Sequence, residues 1–278
     1  MSKYSDAKEL AGLTLGQKTE YANQYDASLL QPVPRSLNRD DLALGDELPF
    51  IGHDIWTMYE LSWLNDKGLP QVAVGEVFIP ATSPNLIESK SFKLYLNSFN
   101  MSSFASKATV KAMMEKDLAL ASGAPVVVQL HDLDDTTNNV KPWSIPSLDG
   151  YELTEEVSEE PDTSLLQLGD IEVKAKWQTH LFRSLCPVTA QPDWASVRVE
   201  YQGKEILPAS LLTYLVSFRT HQGFHEQCVE QIFRDLIAVA NPNRLLVEAR
   251  FMRRGGLDIN PMRMKGMFEV NHQRLSRQ

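Results

Sequence analysis

A thiol and a carboxyl group lie close together in the stretch SLCPVTAQPDW, residues 184–194. Cys186, one of only two cysteines in the chain, precedes Asp193 by seven residues, and Pro187 and Pro192 stand between them. A cysteine thiolate is a strong nucleophile, and the prolines would stiffen the loop that carries it. A lone cysteine is more often a small buried hydrophobic residue, so this stretch by itself leaves both interpretations open.

Two further polar stretches lie beside a five-residue sequence that occurs twice. Residues 95–99 (YLNSF) and 214–218 (YLVSF) agree at four of five positions. Just before the first copy the chain has ESKSFK, residues 88–93, with one carboxylate, two hydroxyl groups and two ammonium groups. Just after the second copy it has FHEQC, residues 224–228, with an imidazole and a carboxylate. Neither copy has both stretches, which favours a composite site built from both halves of the chain.

The composition indicates a chain with a sizeable core and an acidic surface. With 278 residues, 43% of them hydrophobic, it can form one large domain or two smaller ones. The net charge of -9 argues against a long nucleic acid as a partner. No stretch has the length and apolar character of a signal peptide core or a membrane span, and two cysteines form no disulfide framework. We therefore expect a cytoplasmic protein that binds no membrane and keeps its thiols free.

The hydrophobic pattern predicts the same order of elements twice. In the first half we expect strands at 53–66 and 71–80, helices at 85–99 and 107–123, and a strand at 125–130. In the second half we expect a strand at 194–203, helices at 209–219 and 224–240, and a strand at 244–252. The repeated order favours duplication of a domain. The predicted organisation is a partly irregular lead (1–46), a first module (47–150), an acidic connection (151–175) and a second module (176–278).

Four motifs in chain order carry a resemblance to a known family. ESKSFKLY, CPVTAQPDW, FHEQC and RRGGLDINP resemble motifs of the NADPH-dependent 7-cyano-7-deazaguanine reductases, the nitrile reductases of queuosine biosynthesis, in their longer, two-module form. The similarity covers about residues 53–263. It departs from the usual pattern at Ala190 and Phe92, where the family's motifs commonly have glycine and leucine.

The resemblance implies a fold and an assembly. The expected class is α+β, with tandem tunnelling-fold units of order β-β-α-α-β-β whose antiparallel sheets assemble into a barrel with helices on one face. Members of the family place their sites at interfaces between units. Such a barrel needs more strands than one two-unit chain provides, so we expect a homodimer or a larger homo-oligomer.

The resemblance also implies a reaction and the residues that perform it. Cys186 would add to the nitrile of 7-cyano-7-deazaguanine (preQ0) and form a thioimide, which a hydride can reduce. Asp193 would protonate the nitrogen, and His225 would act as acid and base in the second reduction, because imidazole titrates near neutral pH. Two hydride transfers from NADPH would give 7-aminomethyl-7-deazaguanine (preQ1), for queuosine in tRNA.

The small-molecule substrate and the cofactor have their own implied residues. Glu88 and Glu226 would accept hydrogen bonds from the edge of the 7-deazaguanine base, and Phe224 would stack on its ring. The implied NADPH-binding residues are Ser89, Lys90, Ser91, Lys93, Arg253, Arg254, Gly255 and Gly256. No metal is implied.

Two other functions remain open at this point. Cys186, His225 and Cys228 would make three zinc ligands with an open fourth position, as in a zinc-dependent cyclohydrolase of the same fold. The chain could also be an inactive duplicate that serves as a scaffold. Each motif has a structural interpretation as well: ESKSFK as a solvated helix face, RRGG as a basic turn, and Cys228 as a core residue beside Ile232.

Overall fold

The structure is a computed structural model that describes residues 21–45, 47–135, 140–157 and 160–278. Part of the predicted lead, residues 1–20 and residue 46, lies outside the described residues. The chain divides into two compact units: unit 1 is Met1–Asp41, His53–Asn138 and Arg253–Ile259, and unit 2 is Leu42–Gly52, Asn139–Met252 and Asn260–Gln278. Within the described residues, no helix is both long and apolar enough to cross a membrane.

Unit 1 contains, wholly or for the most part, the first five strands and the first three helices. They are β1 (Pro32–Pro34), α1 (Ser36–Arg39), β2 (Ile51–Leu64), β3 (Pro70–Pro80), β4 (Asn85–Ile87), α2 (Ser89–Ser98), α3 (Lys107–Ser122) and β5 (Val127–His131). An antiparallel sheet has the order β5-β3-β2, and β1 pairs with β4. From Val72 onwards, alternate residues of β3 are more deeply buried, as expected for a strand with one better-shielded face.

The ends of α3 follow from local sequence signals. The Ser106 side chain accepts a hydrogen bond from the Thr109 amide at the start of the helix, and Gly123 adopts φ 76° at its end. Glycine has no Cβ and adopts this left-handed conformation without strain. Buried side chains from the sheet and from both longer helices form the core of unit 1, among them Trp56, Phe92 and Met114.

Unit 2 contains the remaining elements. They are β6 (Leu168–Leu185), β7 (Pro192–Ile206), α4 (Pro208–Val216), α5 (His225–Ala240), β8 (Arg244–Phe251) and β9 (Leu257–Lys265), the first three residues of β9 belonging to unit 1. The antiparallel sheet has the order β9-β8-β7-β6, and α5 packs on β7 and β8. The predicted α+β class is confirmed, and unit 2 shows the complete β-β-α-α-β-β order expected of a tunnelling-fold unit.

The hydrophobic pattern missed β1, α1, β6 and β9 and placed the start of one helix too early. No strand was predicted before residue 194 in the second half, yet β6 begins at Leu168, inside the range assigned to the acidic connection. Charged side chains such as Lys174 and Lys176 alternate along its first half and are exposed, so the strand has no continuous apolar run. The helix predicted from residue 85 begins at Ser89, because the three residues of β4 pair with β1 instead.

The five-residue repeat makes the same contacts in both units. In unit 1, the Tyr95 hydroxyl on α2 donates to the Asp117 carboxylate on α3 at 2.7 Å. In unit 2, the Tyr214 hydroxyl on α4 donates to the Asp235 carboxylate on α5 at 2.6 Å. The serine three residues after each tyrosine donates to that tyrosine's carbonyl oxygen at 2.6 Å in both units. The repeated residues therefore join the helix pair of each unit in the same way, which supports duplication.

Candidate active site

A short loop between β6 and β7 carries Cys186. The Cys186 amide donates to the Gln191 carbonyl oxygen at 2.8 Å, and the Ala190 amide donates to the Cys186 carbonyl oxygen at 2.9 Å. Ala190 has φ 54°, in the left-handed region that favours glycine. The alanine noted as a departure from the family pattern therefore stands at the position where the loop needs that conformation, and the loop keeps its closing hydrogen bonds.

The segment before α5, residues 221–223, forms backbone hydrogen bonds with Leu185, the residue before Cys186. The Leu185 amide donates to the His221 carbonyl oxygen at 2.9 Å, and the Gly223 amide donates to the Leu185 carbonyl oxygen at 3.1 Å. Phe224 follows at once as the residue that precedes the first turn of α5, which starts with His225. Backbone hydrogen bonds thus hold the two predicted catalytic stretches, CPVTAQPD and FHE, beside each other within unit 2.

Asp193 and His225 form a close pair. Asp193, the second residue of β7, lies opposite Ser184 in the sheet and is 8% exposed. Its Oδ2 atom lies 3.3 Å from Nε2 of His225, whose ring stacks on Phe251 with 3.8 Å between centroids and 7° between planes. A carboxyl group at this distance can exchange a proton with an imidazole.

The two cysteines have different environments. Cys186 lies in the loop and is 4% exposed, whereas Cys228 is fully buried on α5 together with Ile232, as predicted. Burial is the main cause that raises the pKa of the Cys228 thiol, to about 12. A thiol with this pKa supplies little thiolate near neutral pH, so Cys228 is unsuited to be the nucleophile.

A zinc site receives no support from the side-chain geometry. Within the residues that the structure describes, no group of three or more His, Cys, Asp or Glu side chains is arranged to hold a metal ion. The Cys186, His225 and Cys228 set is therefore not preformed as a metal site.

Three residues predicted to bind the base lie at the starts of helices. Phe224 and Glu226 flank His225 at the start of α5, and Glu226 is 4% exposed. In unit 1, Glu88 precedes α2 and accepts hydrogen bonds from the Lys90 amide at Oε1 and the Ser91 amide at Oε2, each at 2.7 Å. This cap fixes the direction of the Glu88 carboxylate.

The predicted cofactor stretch on α2 divides into structural and accessible residues. Ser91 is fully buried, accepts from the Gln31 amide at 3.0 Å and donates to the Glu88 carbonyl oxygen at 2.7 Å, so its hydroxyl group serves the fold. Ser89 and Lys90 are partly exposed in the first turn. Lys93 lies one turn further along and is 31% exposed.

Lys93 lies next to the RRGG turn inside unit 1. The Arg254 amide donates to the Leu257 carbonyl oxygen at 2.7 Å, and Gly255 and Gly256 between them have φ 65° and 79°. This geometry confirms the turn interpretation and explains both glycines. A Cβ atom on Gly255 would lie 3.2 Å from Nζ of Lys93, so this ammonium group sits against glycine backbone.

A small cavity opens at this turn. Its volume is about 90 Å³, and its lining is Glu60, Lys93, Leu96, Asn97, Asn100, Gly255, Gly256 and Leu257. Pockets for whole drug-sized ligands measure about 300–1,000 Å³, so this one has room only for a small group. Nζ of Lys93 lies 4.0 Å from Oε2 of Glu60, so the lining has both a cation and an anion. Arg253 adds a second cation nearby, with its guanidinium group 4.5 Å from the Tyr59 ring centroid.

Sequence reasoning missed several residues around these sites. Asn97 follows Lys93 by four positions, a helical spacing that could have identified it as part of the same face of α2, and Asn100 lies just after that helix. Phe251 stacks on His225 from a strand 26 residues later in the chain, and no local pattern predicts that contact. Unit 2 brings together Cys186, Asp193, His225, Phe224 and Glu226, and unit 1 brings together Lys93, Arg253, Gly255 and Gly256.

Two family models match the chain, one on each unit. A model described as "Nitrile reductase, 7-cyano-7-deazaguanine-reductase N-term" matches residues 21–130, and one described as "QueF-like protein" matches residues 192–268. The class is therefore an oxidoreductase that acts on a nitrile. The chain belongs to the family of 7-cyano-7-deazaguanine reductases in its two-module form, a family of queuosine biosynthesis, as the four sequence motifs predicted.

A solved structure is similar to part of the chain. It is described as "Crystal structure of the archaeosine synthase QueF-Like in the apo form" and is 19% identical to this chain. The similarity covers 36% of this chain and 99% of that one, with a TM-score of 0.30.

Proposed function

We propose that the chain catalyses the NADPH-dependent reduction of the nitrile of 7-cyano-7-deazaguanine to the aminomethyl group of 7-aminomethyl-7-deazaguanine. The observation that carries this proposal is the arrangement in unit 2, where the Cys186 loop lies beside the start of α5 and Asp193 lies 3.3 Å from His225. A nucleophile and two proton-transfer groups are what reduction of a nitrile requires. Membership in the nitrile reductase family supports this substrate.

The first step is addition of the Cys186 thiolate to the nitrile carbon. A C–S bond forms, one C–N π bond becomes an N–H bond, and the product is a thioimide. Asp193 donates the proton to the nitrogen, because it is shielded from solvent and follows the Cys186 loop directly. The thioimide accepts a hydride more readily than the linear nitrile, so one difficult step becomes two easier ones.

Release of sulfur separates the two reductions. Bound NADPH supplies one hydride in each of them, four electrons in total. After the first, Cys186 leaves with the electron pair of the C–S bond, which restores the thiolate and yields an imine. His225 then protonates the imine nitrogen as the second reduction produces the amine. The burial of Cys186 and Asp193 keeps water away from the imine, which would otherwise hydrolyse.

The base is held by carboxylates and an aromatic ring in this proposal. Glu226 and Glu88 accept hydrogen bonds from the N–H groups of the aminopyrimidinone edge, and Phe224 stacks on the ring. The two backbone bonds that fix the Glu88 carboxylate support its role, because a preorganised acceptor loses little entropy on binding. Glu226 lies next to His225 in sequence, which supports base binding close to the reacting groups.

The cations of unit 1 support a site for a phosphate-bearing cofactor. Lys93 and Arg253 supply positive charge. The lack of side chains at Gly255 and Gly256 lets Lys93 and Glu60 lie against the backbone of the turn. Ser89, Lys90, Ser91 and Arg254 complete the proposed set. Ser91 contributes by holding the first turn of α2, since its hydroxyl group is buried.

The proposed assembly and location follow from the same family. We propose a homodimer or a larger homo-oligomer in which sheets of tunnelling-fold units complete barrels. The cytoplasm, a reducing compartment, would keep the Cys186 thiol available for the reaction.

The test is an assay with the purified full chain, the nitrile and NADPH. We expect two NADPH oxidised for each amine formed, and a product heavier than the substrate by four hydrogen atoms. Cys186→Ala should reduce the rate to background, and Cys228→Ala, its control, should keep it. A folded wild-type chain that oxidises no NADPH with the nitrile present would contradict the proposal.

A further inference from the structure

We infer that Phe251 is a positioning residue that holds the His225 ring in the orientation in which Nε2 meets Asp193. The inference rests on the proposed function for the role of His225, and on the geometry of unit 2 for everything else. The rings of Phe251 and His225 are 3.8 Å apart and within 7° of parallel. Phe251 therefore covers one face of the imidazole and restricts rotation of the ring about its bond to Cβ.

The imidazole has few other restraints on its orientation. A catalytic or metal-binding histidine commonly has its second ring nitrogen in a hydrogen bond that fixes the ring. In the described part of the chain, the buried Nδ1 of His225 has no hydrogen-bond partner. The contact between Nε2 and Asp193, at 3.3 Å, is long for a hydrogen bond. The stack on Phe251 supplies the constraint that a second hydrogen bond would otherwise give.

Phe251 is itself held on several sides. It is 1% exposed at the end of β8, and the Phe182 ring meets it edge-on at 6.0 Å. Its amide donates to Oδ1 of Asn260 at 3.2 Å, and its carbonyl oxygen accepts from Nε2 of Gln278 at 3.3 Å. Nε2 of Gln278 also donates to Oδ1 of Asn260 at 2.7 Å.

These contacts give Gln278 an indirect role. Its side-chain amide bonds the carbonyl oxygen of Phe251, 27 residues earlier in the chain, and Oδ1 of Asn260, the acceptor of the Phe251 amide. Gln278 is 5% exposed. Loss of this amide would leave the carbonyl oxygen of Phe251 without that hydrogen bond and weaken the support of the ring that stacks on His225. The chain segment around Gln278 is thus part of the support of the acid-base residue.

The first experiment compares Phe251→Leu with Phe182→Leu. Both remove a ring from the same buried cluster, but Phe182 does not stack on His225. We expect Phe251→Leu to lower kcat about tenfold, with KM for the nitrile changed less than about twofold, because misplacement of a catalytic group affects the chemical step. Formation of the Cys186 adduct without NADPH should keep its rate. Phe182→Leu removes only an edge contact with Phe251 and leaves the stack in place, so it should lower kcat by about threefold at most.

A spectroscopic measurement tests the stack without activity. The ring protons of His225, assigned by their absence in His225→Asn, should be shifted upfield in wild type by the Phe251 ring current. This shift should disappear in Phe251→Leu and persist in Phe182→Leu. An unchanged shift, or an unchanged kcat in a folded Phe251→Leu, would overturn the inference. Wild type without reductase activity would instead refute the proposed function, while the shift would still report the stack.

A second pair of variants keeps the inference testable if Phe251→Leu does not fold. Gln278→Ala removes the amide that bonds the Phe251 carbonyl oxygen, and Gln273→Ala removes a similar side chain whose amide bonds Lys141 and Pro142 instead. We expect a kcat loss of about threefold and a smaller ring-current shift only for Gln278→Ala. Equal behaviour of the two variants would contradict the link between Gln278 and His225.

Discussion

The helix pairs of the two units share their interior contacts and differ at their starts. Tyr95 bonds Asp117 in unit 1 as Tyr214 bonds Asp235 in unit 2. The starts of the helices differ. The Glu88 side chain accepts hydrogen bonds from backbone amides in the first turn of α2. The first turn of α4 has a proline and no such side-chain cap. The contacts that hold a helix pair together are thus kept in both copies.

The groups proposed to do chemistry lie where the copies differ. Unit 2 has the imidazole and the carboxylate at the start of α5, in the position where α3 of unit 1 starts with a serine cap and Lys107. Unit 1 has Lys93 on α2 beside the Gly255 turn. Helix starts change with little effect on the core, so duplicated units can diverge there.

The largest expected effect concerns proton transfer in unit 2. Asp193→Asn keeps the size of the side chain but removes its charge and its acid, so we expect kcat to fall by a factor of about 10²–10⁴. Single-turnover measurement of the Cys186 adduct should show that its formation slows. If adduct formation and kcat are unchanged, Asp193 is not the proton donor. The assignment of proton transfer to unit 2 would then lose its main support.

The second prediction tests the contact that both units share. Tyr214→Phe leaves Oδ2 of Asp235 without the hydroxyl group that bonds it, whereas Tyr95→Phe leaves Asp117 with a second bond, from the Tyr25 hydroxyl at 2.6 Å. We expect the free energy of unfolding to fall by about 2 kcal/mol in Tyr214→Phe and by about 1 kcal/mol in Tyr95→Phe. Urea titration measures both, and a larger loss in Tyr95→Phe would contradict this account.

The third prediction concerns cofactor selection by unit 1. If Arg253 contacts the 2′-phosphate of NADPH, Arg253→Leu should raise KM for NADPH about tenfold and KM for NADH by less than about twofold. Arg277→Leu is the control, because Arg277 also lies over an aromatic ring, that of Trp194 in unit 2. Equal losses with both cofactors would show that Arg253 does not contact that phosphate.

The smallest expected effect lies in the Cys186 loop. Ala190 has φ 54°, which costs an alanine about 1 kcal/mol relative to glycine, although glycine also gives the unfolded chain more freedom. We therefore expect Ala190→Gly to change the free energy of unfolding by less than about 1 kcal/mol, towards higher stability. A loss of more than about 1 kcal/mol in a urea titration would mean that the loop does not need this conformation.

Local patterns predicted the elements that a short stretch of sequence determines. The strand β3, predicted at 71–80, and the helix α3, predicted at 107–123, are such cases. The strand β6 was missed because its first half is polar and exposed, and pairing with β7 rather than its own composition makes it a strand.

The candidate site was predictable only through motifs. Cys186, Asp193 and His225 were identified because their motifs resemble a family, and the fold brings the three residues into one unit. The stack of Phe251 on His225 and the support from Gln278 depend on tertiary packing between distant segments, which leaves no periodic signal in the chain. The sequence showed only that Ala190 stands where the family's motif commonly has glycine. The structure shows why glycine suits this position, because Ala190 has a left-handed backbone with φ 54°.

The central claim is that Cys186 forms a covalent bond with the nitrile. The most direct test is intact-protein mass spectrometry of wild type and Cys186→Ala, each mixed with 7-cyano-7-deazaguanine in the absence of NADPH. We predict an increase equal to the mass of the nitrile on wild type alone, which disappears when NADPH is added. An adduct on Cys186→Ala, or no adduct on a wild-type chain that reduces the nitrile, would contradict the thioimide route.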